Sequence, residues 1–89
     1  MDDCEYSDAL RELIGLLAES GESHWTDWFT SSLYFIENGD RAKSFRKTLA
    51  AYGGMGSFND VYWDLPKAKF DRLENLKDLV WQYSKGGVA

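Results

Sequence analysis

Apolar residues recur along this chain at the spacing of helices, and no sustained two-residue alternation appears that would mark a strand. Leu10, Leu13, Ile14 and Leu17 fall three or four apart, with Glu12 and Glu19 opposite, as one buried helical face requires. Ser7 predicts the N-cap of this first helix, with Asp8 in its first turn and Gly21 as its stop. A second helix is predicted over residues 24–38. At about 100° per residue, Trp25, Trp28, Phe29, Ser32, Leu33, Phe35 and Ile36 share one arc, leaving Asp27, Thr30, Tyr34 and Glu37 on the other side. Gly39 ends it, and Asp40 caps a third helix over residues 41–52 whose buried side is Ala42, Phe45, Leu49 and Tyr52. The last helix is predicted from Pro66, suited to a first turn, to Ser84, along Phe70, Leu73, Leu76, Val80 and Tyr83.

Between the third and last helices stands "AYGGMGSFND", residues 51–60. Gly53 fits a left-handed helix stop, and Ser57 with Asp60 three residues later fits a helix start ahead of Val61, Tyr62 and Trp63. The stretch therefore predicts a joint leading to a short fifth helix that ends near Pro66. The whole is an all-α bundle of four main helices plus one short one. It reads as a single domain over residues 1–89, with residues 1–6 and 85–89 as frayed tails.

The same stretch does not predict a phosphate cradle. A Walker-type loop needs a lysine and a hydroxyl directly after its last glycine, and a dinucleotide turn needs a preceding strand. Metal binding lacks ligands, since the chain has one histidine, His24, and one cysteine, Cys4. Cys4 lies among carboxylates, which disfavour the thiolate a nucleophile needs, and it has no internal disulfide partner. An 89-residue bundle leaves little room for a cleft that would split the pKa values of two carboxylates. The expectation is a protein without catalytic residues, metal or cofactor.

Charge adds a preference for partners. Through Asp40 there are ten acids and one base, Arg11, giving −9; from Arg41 onward nine bases and five acids give +4, which together make the net −5. Such a surface repels nucleic acid and attracts a basic protein. The first residues lack the basic and apolar regions of a signal peptide, and no apolar run approaches the ~20 residues of a bilayer span. A cytoplasmic protein without membrane contact is expected.

The fourteen aromatic rings exceed the demands of a small core. Tyr34 falls on a polar helix side, and Phe58, Tyr62 and Trp63 crowd a short element. Rings beside acids suit protein interfaces. The expected docking surface joins these four rings to Glu19, Glu22, Asp27, Glu37, Asp60 and Asp64. The basic third helix (Arg41, Lys43, Arg46 and Lys47) is expected to face either the acidic helices or solvent.

Gly21-Glu22-x-x-Trp25-x-x-Trp28-Phe29, followed by Tyr52-Gly53-Gly54-Met55-Gly56-Ser57-Phe58-Asn59-Asp60, resembles the motifs of a family of small helical bacterial proteins with no established activity. The likeness extends over about residues 7–83. By analogy of size and charge, it suggests an immunity-type protein that blocks a basic, nuclease-like toxin domain. The alternative is an adaptor or self-associating module whose surplus rings form a homodimer interface.

Overall fold

A computed structural model of the chain describes residues 2–52, 58 and 61–88. Four helices follow one another: α1 (Asp3–Glu19), α2 (Ser23–Glu37), α3 (Arg41–Ala50) and α4 (Lys67–Val88). Each packs against its neighbour in sequence, and α4 closes the ring against α1. Cross-helix bonds fix the directions. Trp28 reaches Lys47 while Ser32 reaches Ser44, and Glu12 reaches Arg72 while Asp3 reaches Tyr83. Neighbouring helices are thus antiparallel, in up-down-up-down order.

The first two helices stop by the same device. Gly21 and Gly39 take φ of 80° and 81°, the left-handed geometry that costs glycine nothing. Glu22 N–H then reaches Leu17 O and Gly21 N–H reaches Ala18 O. Asp40 and Gly39 repeat this with Phe35 O and Ile36 O. These paired bonds form a Schellman motif that satisfies carbonyls otherwise orphaned at a helix end. Asp40 caps α3 as expected, accepting from Lys43 N–H at 3.2 Å.

Four expectations need correction. α1 starts at Asp3 rather than Ser7, because Asp2 caps it through Glu5 N–H at 2.9 Å and Tyr6 is wholly buried. Residues 3–6 are therefore part of the bundle and not a frayed tail. At the other end, α4 runs past Ser84 to Val88.

On α3, Ala42 is exposed and the buried face holds Ser44, Phe45 and Thr48. The reason is Tyr6, whose hydroxyl lies 3.0 Å from Ser44 Oγ and 2.8 Å from Thr48 Oγ1, with Ser84 Oγ at 3.4 Å. A polar centre inside the bundle turns α3 to offer hydroxyls where an apolar face was predicted.

Residues 53–57, 59 and 60, with the proposed stop at Gly53 and start at Ser57, lie outside the described residues. The expected short helix does not appear in residues 61–66. Tyr62 and Asp64 point outward and Trp63 inward, the period of two of extended chain, and a residue before proline resists helical geometry. α4 begins at Lys67, and Pro66 O accepts its first bond from Phe70 N–H at 2.8 Å.

Candidate functional site

The end of the bundle that carries Tyr52, Phe58 and residues 61–66 holds a dense group of rings. Phe58 is its hub, with ring centroids 4.8 Å from Phe29, 5.3 Å from Trp25, 5.4 Å from Tyr52 and 5.2 Å from Trp63. Its N–H is bonded to Ala51 O at 2.9 Å. Trp63 enters from the other side and donates its indole N–H to Glu74 Oε2 at 2.5 Å. Lys77, almost fully buried, lies 3.5 Å from the same carboxylate and 5.5 Å from the Phe58 ring. Its charge is met by a carboxylate and two ring faces, as a cation out of water requires. Burial pushes the Tyr52 hydroxyl well above its ordinary range, with Asp78 adding to the effect. That hydroxyl donates to Lys77 O at 2.7 Å.

Phe58 and Trp63 are therefore not docking anchors. Both have no exposed surface, because α2 presents the Trp25 and Phe29 rings to Phe58 and α4 presents Glu74 and Lys77. They fasten the described part of the connection between α3 and α4 to the bundle. The two tyrosines are exposed, Tyr62 by 81% and Tyr34 by 61%. Tyr62 packs one face on Phe70, centroids 5.3 Å apart, at an open cavity of about 350 Å³ lined by these two rings with Leu65, Lys67 and Asp71. Phe70, expected in the core, is only partly buried. Only the position of Tyr62 shows that it is shared with the surface.

The expected docking residues do not form one face. Tyr34 stands twelve residues beyond the Glu22 N-cap of α2, roughly 18 Å along the helix from the end that carries Tyr62. Glu37 lies further still, ion-paired with Arg11 at 2.8 Å. Glu19 is paired with Lys69. Glu22, Asp27 and Asp64 make no ion pair among the described residues, and Asp27 and Asp64 are exposed. Asp60 lies outside the described residues.

Much of the charge asymmetry is consumed inside the molecule. Arg72 grips Glu12 with two bonds, at 2.5 and 2.8 Å, and Arg41 grips Asp3 at 2.6 and 3.2 Å. The Arg41 bond, followed by that from Tyr83, holds the Asp3 carboxyl below its usual value, and Arg72 does the same for Glu12. These pairs tie acidic α1 to α3 and α4.

Among the described residues no group of three or more potential ligands is arranged to hold a metal ion, and no helix is long and apolar enough to cross a membrane. His24 is exposed at the start of α2, its ring 4.6 Å from that of Trp25. Cys4 is exposed and unpaired.

No curated protein matches the chain, and no solved structure does. A family does. Its match runs over residues 18–65, more than half of the 89, and takes in α2, α3 and the connection that buries Phe58 and Trp63. With both quoted motifs inside that span, the chain belongs to the family described as a domain of unknown function (DUF6966).

Proposed function

We propose that the chain is a non-enzymatic protein-binding module that docks a basic partner at the end carrying Tyr62, as a small inhibitor occluding the active site of a nuclease-like toxin domain. The observation that carries this reading is Tyr62 itself. A ring 81% exposed, seated on Phe70 beside an open cavity, offers apolar area that water covers poorly and a partner would cover well. Glu22, Asp27 and Asp64 supply negative charge and have no ion-pair partner among the described residues. The nearby lysines are already taken, Lys69 by Glu19 and Lys67 by Asp71, so they do little to offset it.

In this mechanism the unpaired acids steer a cationic surface toward the site and Tyr62 anchors it. Steering raises the association rate, whereas the buried ring sets how long the complex lasts. The inhibitory character and the bacterial setting rest on the family resemblance and on the acidic composition. A cytoplasmic location is part of the same proposal.

The test begins with capture of partners from the native host by the intact chain, followed by measurement with the purified pair. The expected partner is basic, binds less tightly as salt rises, and loses about tenfold or more in affinity with Tyr62→Ala. Binding indifferent to both salt and Tyr62 would overturn the reading. Self-association is the second reading, favoured by Tyr34 and Leu79, which are also exposed. Sedimentation that shows a dimer dissociated by Tyr34→Ala would establish it instead.

A further inference from the structure

The ten lysines and arginines of the chain are not used alike. Arg11, Arg41, Lys67, Lys69, Arg72 and Lys77 are ion-paired, and Lys85 lies over Trp81. The remaining three, Lys43, Arg46 and Lys47, all stand on α3 and make no ion pair among the described residues. Among the described residues, no acid pairs with this strip. On α2, Glu37 is held by Arg11, while Asp40 is occupied at the α3 cap.

At about 100° per residue, positions 43, 46 and 47 fall within roughly 100° of arc, and the three rise only about 6 Å along the helix. Two of the cations are already held in place. Lys47 Nζ sits 3.7 Å from the Trp28 ring centroid and Lys43 Nζ 5.5 Å from that of Phe35. Phe35 in turn meets the exposed Tyr34, edge-on at 6.0 Å. The result is a continuous surface across the α2–α3 seam, with cations ordered before any partner arrives. Ordered side chains lose less entropy on binding.

We propose that Lys43, Arg46 and Lys47, flanked by Tyr34, form a docking face for an acidic segment of a protein. Charge complementarity selects an anion, and the dimensions select its kind. A strip of three cations matches two or three carboxylates on one turn of peptide. It tracks too short a run of phosphates to hold nucleic acid against the repulsion of a chain with net charge −5. The adjoining rings favour a protein surface, where aromatic and charged contacts mix. This face is separate from the Tyr62 end and does not depend on the reading given to that end.

The probe is an octaglutamate peptide titrated into the isotopically labelled full chain, with backbone amide shifts recorded at low salt. The expected result is movement confined to α3 and the Tyr34 turn of α2. The triple variant K43A/R46A/K47A weakens binding about tenfold, whereas K67A/K69A, which removes cations already paired, changes it less than about twofold. Arg46→Glu provides an independent measure, because its side chain packs on no ring and the fold does not need it; it weakens binding several-fold. Shifts centred elsewhere, equal effects of the triple and double variants, or tighter binding of a single-stranded oligodeoxynucleotide than of the peptide would each overturn the proposal.

Discussion

Trp63 donates its indole N–H to Glu74 Oε2 at 2.5 Å while the neighbouring Tyr62 side chain points the opposite way into solvent. One peptide step thus separates a residue that fastens the α3–α4 connection from one that is available to a partner. The two should part company under mutation. Phe58→Ala removes the hub of the ring cluster and should cost about 3–5 kcal/mol. Trp63→Phe keeps an apolar ring but loses the bond to Glu74, and should cost about 1–3 kcal/mol. Tyr62→Ala should change stability by less than about 0.5 kcal/mol. Urea unfolding followed by circular dichroism measures all three, and a Tyr62→Ala cost as large as that of Phe58→Ala would show that Tyr62 is structural.

The hydroxyl centre makes a second contrast. Ser44 Oγ donates to Ser32 O at 2.7 Å, so its proton is spent and Tyr6 must be the donor between those two. Tyr6 then accepts from Thr48 and Ser84. Tyr6→Phe leaves three buried hydroxyls short of a partner and should cost about 1–3 kcal/mol, although the ring still fills its space. Ser32 Oγ, by comparison, is buried without a hydrogen-bond partner. Ser32→Ala should therefore be neutral or stabilise by up to about 1 kcal/mol. Denaturant midpoints should fall for Tyr6→Phe and stay level or rise for Ser32→Ala.

These two cases also show what could be read from the chain beforehand. The leucines of α1 and the glycine stops were legible because they depend on neighbours three to five residues away. Tyr34 was legible for the same reason, since its helical position alone puts it opposite the apolar arc. Tyr6 was hidden by the acidic residues around it, though it stands four residues before Leu10 and continues the same face. The inward turn of Ser44 and Thr48 answers a tyrosine about 40 residues away, which no local pattern carries. Phe58 and Trp63 were misassigned for a related reason. Their burial depends on Phe29, Trp25 and Glu74, so only the closed bundle reveals it.

Adjacent glycines near the end of α4 should respond oppositely to the same change. A Cβ at Gly87 would collide with Phe45 Cε2, whereas one at Gly86 would meet nothing within 4 Å. Phe45 is buried between Tyr6 and Tyr83, so its ring cannot simply swing away. Gly87→Ala should cost about 1–3 kcal/mol by overpacking or by detaching the last turn. Gly86→Ala should stabilise by up to about 1 kcal/mol, because alanine favours the helix over glycine. Thermal midpoints that rise for Gly86→Ala and fall for Gly87→Ala would establish that α4 is packed on α3 to its last turn.

The ion pairs of α1 predict how stability follows pH. Asp3 and Glu12 are held below their usual values of 3.8 and 4.5, chiefly by the Arg41 and Arg72 bonds. A carboxyl with a lowered folded value contributes stability above its unfolded value and loses it as pH falls through the folded one. Stability should accordingly decline from just above those values downward. The carboxylates are roughly half exposed, so solvent screening keeps each contribution small. At the alkaline end the sign reverses. Tyr83 is raised above its usual 10.0, first by its bond to Asp3, so its contribution is complete below that value and disappears as pH climbs through the raised one. Urea midpoints measured across both limbs should show Glu12→Gln flattening only the acid limb. Asp3→Asn should flatten the acid limb and also weaken the alkaline one, because Asp3 serves in both pairs. An acid limb unchanged in both variants would mean that other carboxylates govern the loss of the fold.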